Sequence, residues 1–358
     1  MNHNERLTDY KEIIDEDIKR YSEELLRNTE HEYGGYSKET VESFTSILAR
    51  GGKRLRGALV MASYEMLGGT DQKMAVQAAR AIEMIHAYVL MIDDIADRSL
   101  MRRGGPSAHI IMRDYHGQKN LRGEKNHFGE SMATQAALIG GYLAEQIIDD
   151  LHVSDSIKLA VLRNLHQNLI HTGHGQLRDI LNETLPVVSE DDALWTATYK
   201  TAYYTVINPL ETGAILAGAS KKDVATLRAF GMHAGIGFQV ADDILGMFGE
   251  DGTTGKSSLD DLKEGKITVL MTYALEKASG PQRQRLQDLL GNSTIGLDDL
   301  LECQKILQDT GALSYAKETA SEHARSAKNI LHQAKGNMGA DLVNFLDYLT
   351  DIFVVRTF

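Results

Sequence analysis

The stretch "DYKEIIDEDIKRYSEELL", Asp9 to Leu26, decides the fold class. Tyr10, Ile14, Ile18, Tyr21 and Leu25 recur in it every three or four residues, which lays one apolar stripe along a helix. No comparable run of alternating apolar and polar residues, bounded by hairpin turns, occurs in the chain. Only four prolines, Pro106, Pro186, Pro209 and Pro281, interrupt 358 residues, against an average use of about 5%. Long helices are easily accommodated, and the expected fold class is all-α.

Glycine-rich and polar punctuation cuts the chain into helical segments. Breaks are expected at "YGGYS" (33–37), "RGGKRLRG" (50–57), "LGGTDQ" (67–72), "RSLMRRGGPS" (98–107), the polar "DYHGQKNLRGEKNHFG" (114–129), "LPVVSEDD" (185–192) and "GEDGTTGKSS" (249–258). Ser189 with Asp192 forms a capping-box pattern, so a helix should begin there. No break is long or low in complexity, and no repeat of fixed period is present. A single helical domain over residues 1–358 is the simplest organisation.

Composition narrows the function. A formal net charge of −12 speaks against a nucleic-acid partner, because binding a phosphate backbone needs a broad basic surface. No apolar run is long enough to span a bilayer. The amino terminus lacks the apolar core of a secretory signal, and the one cysteine, Cys303, cannot form an internal disulfide. Both point to a reducing, cytoplasmic setting.

The chemistry gathers in "MIDDIADRSLMRRGGPSAH", Met91 to His109. Asp93 and Asp97 are four residues apart, which on a helix puts both carboxylates on one face. Two carboxylates about 5 Å apart repel by roughly 3 kcal/mol at an effective dielectric near 20, so a partly buried set needs a cation or must hold protons. An exposed acidic helix end is the plainer reading of this motif alone. A second cluster, Asp242 and Asp243 in "FQVADDILGMFGEDGTTGKSSLDDLKEGK" (238–266), changes that balance, because lysines and another aspartate pair follow it. Two acidic clusters, each trailed by cations, suit Mg²⁺ bound together with a polyanion. Basic residues collect in "GGKRLRG" as Lys53, Arg54 and Arg56, and again as Arg102 and Arg103, whose planar guanidinium forks fit a diphosphate.

In order along the chain, "GGKRLR", "DDIADRSLMRRGGPSAH", "GQLRDI", "KTAYYT", "FQVADDILGMFG" and "GKSSLDDLKEGK" resemble the trans-isoprenyl diphosphate synthases, the polyprenyl synthetases. The resemblance covers about Gly51 to Lys266 and is nearest in pattern to farnesyl and geranylgeranyl diphosphate synthases. It implies the all-α isoprenoid synthase bundle with a central cavity, Mg²⁺ as cofactor, and a homodimer. It further implies that Asp93, Asp97 and Asp242 ligate Mg²⁺ on an allylic diphosphate, with Asp243 and Asp261 assisting. Arg102, Lys200, Thr201, Gln239, Lys256 and Lys266 would line that diphosphate, and Lys53, Arg56, His86 and Arg103 would hold isopentenyl diphosphate. Asp179 and Gln176 match a polar pair near the site.

The implied reaction is a condensation. An allylic carbon–oxygen bond breaks as metal ions and fixed cations stabilise the departing diphosphate. The isopentenyl double bond attacks the cation, and a proton is lost to the released diphosphate. Tyr88 lies five residues before Asp93, about 7.5 Å along a helix axis, and would act as a floor for the growing tail with Val89 beside it. That pattern resembles enzymes making the twenty-carbon product, so geranylgeranyl diphosphate is expected, with farnesyl diphosphate or a longer chain as the alternative.

Three positions depart from the family pattern. Gly57 replaces a common proline, which should only loosen a turn; Gly246 replaces the last aspartate of the second motif; and the 114–129 connection looks long. Rival schemes explain less. A di-iron carboxylate bundle needs Glu-x-x-His pairs on two helices. Glu83 with His86 and Glu124 with His127 match that spacing, yet the arginines and aspartate clusters are then left without a role. A modulating partner subunit of a prenyl synthase can lose its catalytic aspartates, and both leading pairs are kept here. A terpene cyclase handles one diphosphate and has no use for a second anion site at Lys53, Arg56 and Arg103.

Overall fold

A computed structural model describes residues 2–249, 258–334 and 338–354. Apart from one two-residue hairpin, the regular structure in these residues is helical. Contacts divide the chain into two compact units, Met1–Asn164 with Thr212–Ala219, and Leu165–Glu211 with Ser220–Phe358.

The first unit contains α1 (His3–Tyr33), α2 (Gly35–Ala49), α3 (Leu55–Met66), α4 (Gln72–Ala96), α5 (Ala108–Gln118), α6 (Lys125–Asp149) and the start of α7 (Asp155–Asn182). The stripe on α1 packs as its spacing predicts. Tyr10, Ile14 and Ile18 are buried, while Tyr21 and Leu25 are half-buried and line a groove of about 1030 Å³ with residues of α2, α4 and α6. Phe44, Leu59, Met61, Met84 and Met91 fill the core, each stabilising the fold by about 1.5–3 kcal/mol through burial. Among the described residues only α4 is long and apolar enough to cross a membrane, and 78% of that window is buried inside the fold. It starts at Asp71, whose carboxylate accepts from the Met74 N–H at 3.0 Å.

The 114–129 segment is not the long loop expected from its polarity. α5 runs on to Gln118, and α6 begins at Lys125 with Glu124 accepting from the N–H groups of Asn126 and His127. Polar residues at two solvent-facing helix ends look like a loop in sequence, and the cap resolves the ambiguity. Gly129 lets the helices close, since a Cβ there would lie 2.9 Å from the Arg113 nitrogen.

The second unit holds the rest of α7, α8 (Glu190–Thr196), a π-helical turn set from Ala197 to Ile207, the first turn of α9 (Asn208–Leu216), whose remainder belongs to the first unit, and α10 (Lys221–Phe248). It continues through α11 (Ser258–Glu264), α12 (Val269–Lys277), α13 (Gly280–Leu289), α14 (Leu297–Asp309), α15 (Ala312–Ala334) and α16 (Ala340–Val354). α8 starts at the Ser189–Asp192 capping box, as predicted. α10 packs against α15 and the π segment, with Val240, Ile244, Leu270, Leu286, Cys303 and Leu307 in the core. Lys256 and most of the "GEDGTTGKSS" stretch lie outside the described residues.

Candidate active site

In the first unit, α4 ends on the aspartates: Asp93 and Asp94 close its last turn and Asp97 caps it. Helical phase separates their fates. Asp93 and Asp97 are half-buried, whereas Asp94, turned about 100° from Asp93, is fully buried and binds Arg102, whose Nε donates to its Oδ1 at 2.7 Å. The same guanidinium lies 3.7 Å from Asp93 Oδ2. Burial alone would lower the Arg102 pKa, but the Asp94 carboxylate outweighs it and raises it.

A short hairpin carries both arginines. Met101–Arg102 pairs antiparallel with Gly105–Pro106. Arg103 and Gly104 turn between them at φ 52° and 72°, the left-handed pair that a two-residue hairpin prefers. Consecutive arginines therefore diverge. Arg102 joins the aspartates, and Arg103 Nη2 donates to His86 Nε2 at 2.8 Å, where Arg56 Nη1 also donates at 3.2 Å. With Nε2 accepting, the imidazole is neutral and its proton is on Nδ1. Burial, then Arg56 and Arg103, hold the His86 pKa well below its usual value. Burial lowers Arg103 to about 10, with Arg54 and Arg56 adding to the drop and Glu83 opposing it, so it remains charged at neutral pH. The result is a concentrated positive site around a neutral ring, made by three of the four residues expected to hold isopentenyl diphosphate. Lys53, the fourth, is exposed beside Gly51 and Gly52, both at positive φ.

Arg54 belongs to the framework instead. It is buried and bonds Asp15, Glu83 and the Leu48 carbonyl. Glu83 also accepts from the Gly57 N–H at 2.9 Å. Gly57 thus lies in the first turn of α3 and uses an N–H that proline lacks, which corrects the expectation of a loosened turn. Glu83 is committed to Arg54 and Gly57 while His86 meets two arginines, and Glu124 is a helix cap. Neither Glu-x-x-His pair forms a di-iron site. Tyr88 is half-buried with its ring against α6, where a Cβ on Gly141 would lie 3.6 Å from the ring carbon Cγ. Val89 is half-buried beside it.

In the second unit the expected residues form two linked sets. Lys200 Nζ donates to Asp179 Oδ2 at 2.6 Å, and Lys266 Nζ donates to the same oxygen at 2.9 Å and to Glu183 at 2.6 Å. Burial would raise Asp179, but the two ammonium groups outweigh it and hold its pKa below the usual value. Thr201 Oγ1 donates to Gln239 Oε1, and Gln239 Nε2 donates to Asp243 Oδ1 at 2.7 Å. Lys200 and Thr201 sit on the π segment, a geometry concentrated at functional sites. Gly175 of α7 lies directly under that segment. A Cβ on it would be 2.5 Å from the Lys200 Cα.

The donor set fits a divalent cation bound with phosphate. Asp242 and Asp243 are half-buried on α10. Burial, with Asp261 and Asp242 adding, holds the Asp243 carboxyl well above its usual value despite the opposing Gln239 bond; a cation would relieve that strain. At Gly246 a Cβ would meet Asp261 Oδ2 at 2.5 Å, so the Asp261 carboxylate occupies the space where the family's last aspartate would begin. Among the described residues no group of three His, Cys, Asp or Glu side chains could hold a metal alone. The Gln176 amide nitrogen is buried with no hydrogen-bond partner among the described residues.

Asp94 as the Arg102 partner and Glu83 as the Arg54 anchor were not singled out in the sequence. A long-range pair has no local signature, although Arg102 eight residues after Asp94 marks a chain that turns back on its own helix end.

Residues 37–307 match the polyprenyl synthetase family. The chain is 32% identical over 314 residues to geranylfarnesyl diphosphate synthase of Aeropyrum pernix, covering 87% of this chain and 92% of that protein. It is 27% identical over 358 residues to geranylgeranyl diphosphate synthase of Saccharolobus solfataricus, covering 95% and 98%. The geranylgeranyl pyrophosphate synthase of Corynebacterium glutamicum, solved with isoprenyl diphosphate and magnesium, superimposes with a TM-score of 0.89 at 28% identity, covering 96% of this chain and 98% of that one.

Proposed function

The chain belongs to the polyprenyl synthetase family of trans-prenyltransferases, and on that premise we propose that it condenses isopentenyl diphosphate with allylic diphosphates, using Mg²⁺, to give geranylgeranyl diphosphate. One observation carries the reading. Adjacent residues, Arg102 and Arg103, serve two separate charged sites, one at the aspartates and one at His86. A cyclisation needs one diphosphate site, whereas a condensation needs two.

The roles follow from charge. Asp93, Asp97 and Asp242 would hold Mg²⁺, which would offset the charge that develops on the departing diphosphate. Arg102, Lys200 and Lys266 add fixed cations, with Asp179 keeping both lysines in place. Thr201 and Gln239 orient the polar edge of that site, and Lys256 falls to the same role by its motif. Arg56, His86 and Arg103, with Lys53 at the rim, bind the second diphosphate and leave its double bond to attack. Fixed donors act without reorganising during the reaction, which is where most of the rate gain should arise.

The purified chain incubated with Mg²⁺, isopentenyl diphosphate and dimethylallyl, geranyl or farnesyl diphosphate should yield a twenty-carbon product, and chelation by EDTA should abolish it. No product from any starter would sink the reading. Tyr88, whose ring packs against Gly141, is the residue that this reading makes the floor for the twenty-carbon tail. Tyr88→Ala should shift the main product to longer chains on chain-length analysis. An unchanged distribution would remove Tyr88 as the floor and favour another product length.

The family match runs through both units, which supports reading the chain as one catalytic domain. Exposed apolar side chains support a homodimer: Ile170, Leu177 and Leu181 recur along one face of α7. Such faces mark interaction sites when they cluster. The lone cysteine, Cys303, is buried in the core and is compatible with a cytoplasmic enzyme.

A further inference from the structure

Arg50 has no place in the expected ligand sets, yet it grips the hairpin that carries Arg102 and Arg103. It caps the C-terminal end of α2, where its N–H donates to the Ser46 carbonyl at 3.1 Å. Its Nη1 donates to the Pro106 carbonyl at 2.6 Å and to the Arg102 carbonyl at 3.3 Å, one in each strand. Gly105 makes this contact possible. A Cβ there would lie 2.7 Å from the Arg50 guanidinium carbon, so the guanidinium covers the open face of the glycine.

The hairpin needs an outside hold. Each strand pairs only two residues, too few for independent stability. Its turn also places Arg103 at φ 52°, a left-handed conformation that disfavours any residue with a Cβ. That same conformation swings the Arg103 guanidinium onto His86 while Arg102 stays with Asp94. If the turn relaxed, the divergence of the two arginines would be lost.

We propose that Arg50 is a positioning residue for the condensation: by clamping both strands it fixes the turn that sends Arg102 and Arg103 to different diphosphates. The proposal rests on the two-diphosphate reading above. Arg50 acts through the hairpin backbone, because the nitrogen it commits is occupied by two carbonyls.

Arg50→Met keeps the aliphatic stem and removes the donors, whereas Gly105→Ala pushes a methyl into the guanidinium and leaves Arg50 itself intact. Each should raise the KM for both isopentenyl and allylic diphosphate by about tenfold, and Arg50→Lys should recover part of the loss. In an Arg103→Ala background, adding Arg50→Met should raise the isopentenyl KM by less than about threefold, since the clamp then has no guanidinium to aim at that site. A full tenfold penalty in both backgrounds would make Arg50 an independent ligand and overturn the clamp. Wild-type KM values in both Arg50→Met and Gly105→Ala would overturn it as well. The two readings fail separately: inactivity of the wild-type chain counts against the condensation, while an active wild type with unmoved variants counts against Arg50 alone.

Discussion

Asp93→Ala is expected to slow prenyl transfer by about three orders of magnitude or more, read as a single-turnover rate at saturating Mg²⁺. The loss reflects a metal ligand acting where charge develops on the leaving diphosphate, so about 4 kcal/mol of transition-state stabilisation goes with it. The fold should survive. Asp93 stands at the end of α4 beside Asp94 and Asp97, and removing one of three like charges relieves repulsion. Arg102 keeps its main partner, because its closest contacts are to Asp94. Binding of isopentenyl diphosphate should also persist, since Arg56 and Arg103 both donate to His86, two turns back along α4. A variant that turned over within tenfold of wild type with the same Mg²⁺ requirement would defeat the metal assignment.

The contrast between Asp93 and Asp94 shows what the sequence could carry. Helical spacing put Asp93 and Asp97 on one face and turned Asp94 away, and the structure keeps that division. Spacing gave no account of where Asp94 goes. It meets an arginine delivered by a hairpin whose turn depends on Arg103 adopting a left-handed backbone, and an arginine at that position is not a turn signal. Similarly, the α1 stripe and the Ser189–Asp192 cap were legible because each is set by residues within one or two turns. The pairs Lys200–Asp179 and Lys266–Asp179 span 21 and 87 residues, so only a family pattern placed those residues near a common task. The π segment was invisible for a further reason: its widened turn is stabilised by close packing against Gly175 and Gly235, which are ordinary helix residues in sequence.

Stability offers the second large effect, at Glu83. This carboxylate is 2% exposed on α4, one turn before His86. One oxygen accepts from the Gly57 N–H at 2.9 Å, and the other lies 3.3 Å from Arg54 Nη1. Arg54 continues the link to Asp15 on α1 at 2.7 Å and to the Leu48 carbonyl on α2 at 2.8 Å. Four helices therefore meet at one buried ion pair. Glu83→Ala should destabilise the first unit by about 3 kcal/mol, because it takes from the buried Arg54 guanidinium its buried counter-charge, leaving it Asp15, and removes the acceptor of the Gly57 N–H. In thermal unfolding that corresponds to a fall in Tm on the order of 10 °C. The desolvation penalty distinguishes this site from a simple contact. Replacing both partners, Glu83→Leu with Arg54→Met, should recover most of the loss, because no buried charge then lacks its counterpart. Function should not recover with stability. Glu83 fixes Gly57, which is adjacent to Arg56, and it sits three residues from His86, so the double variant should keep a raised KM for isopentenyl diphosphate even when folded. If Glu83→Ala left Tm within about 2 °C of wild type, the pair would be a peripheral contact, and the alignment of α3 with α4 would have to come from apolar packing alone.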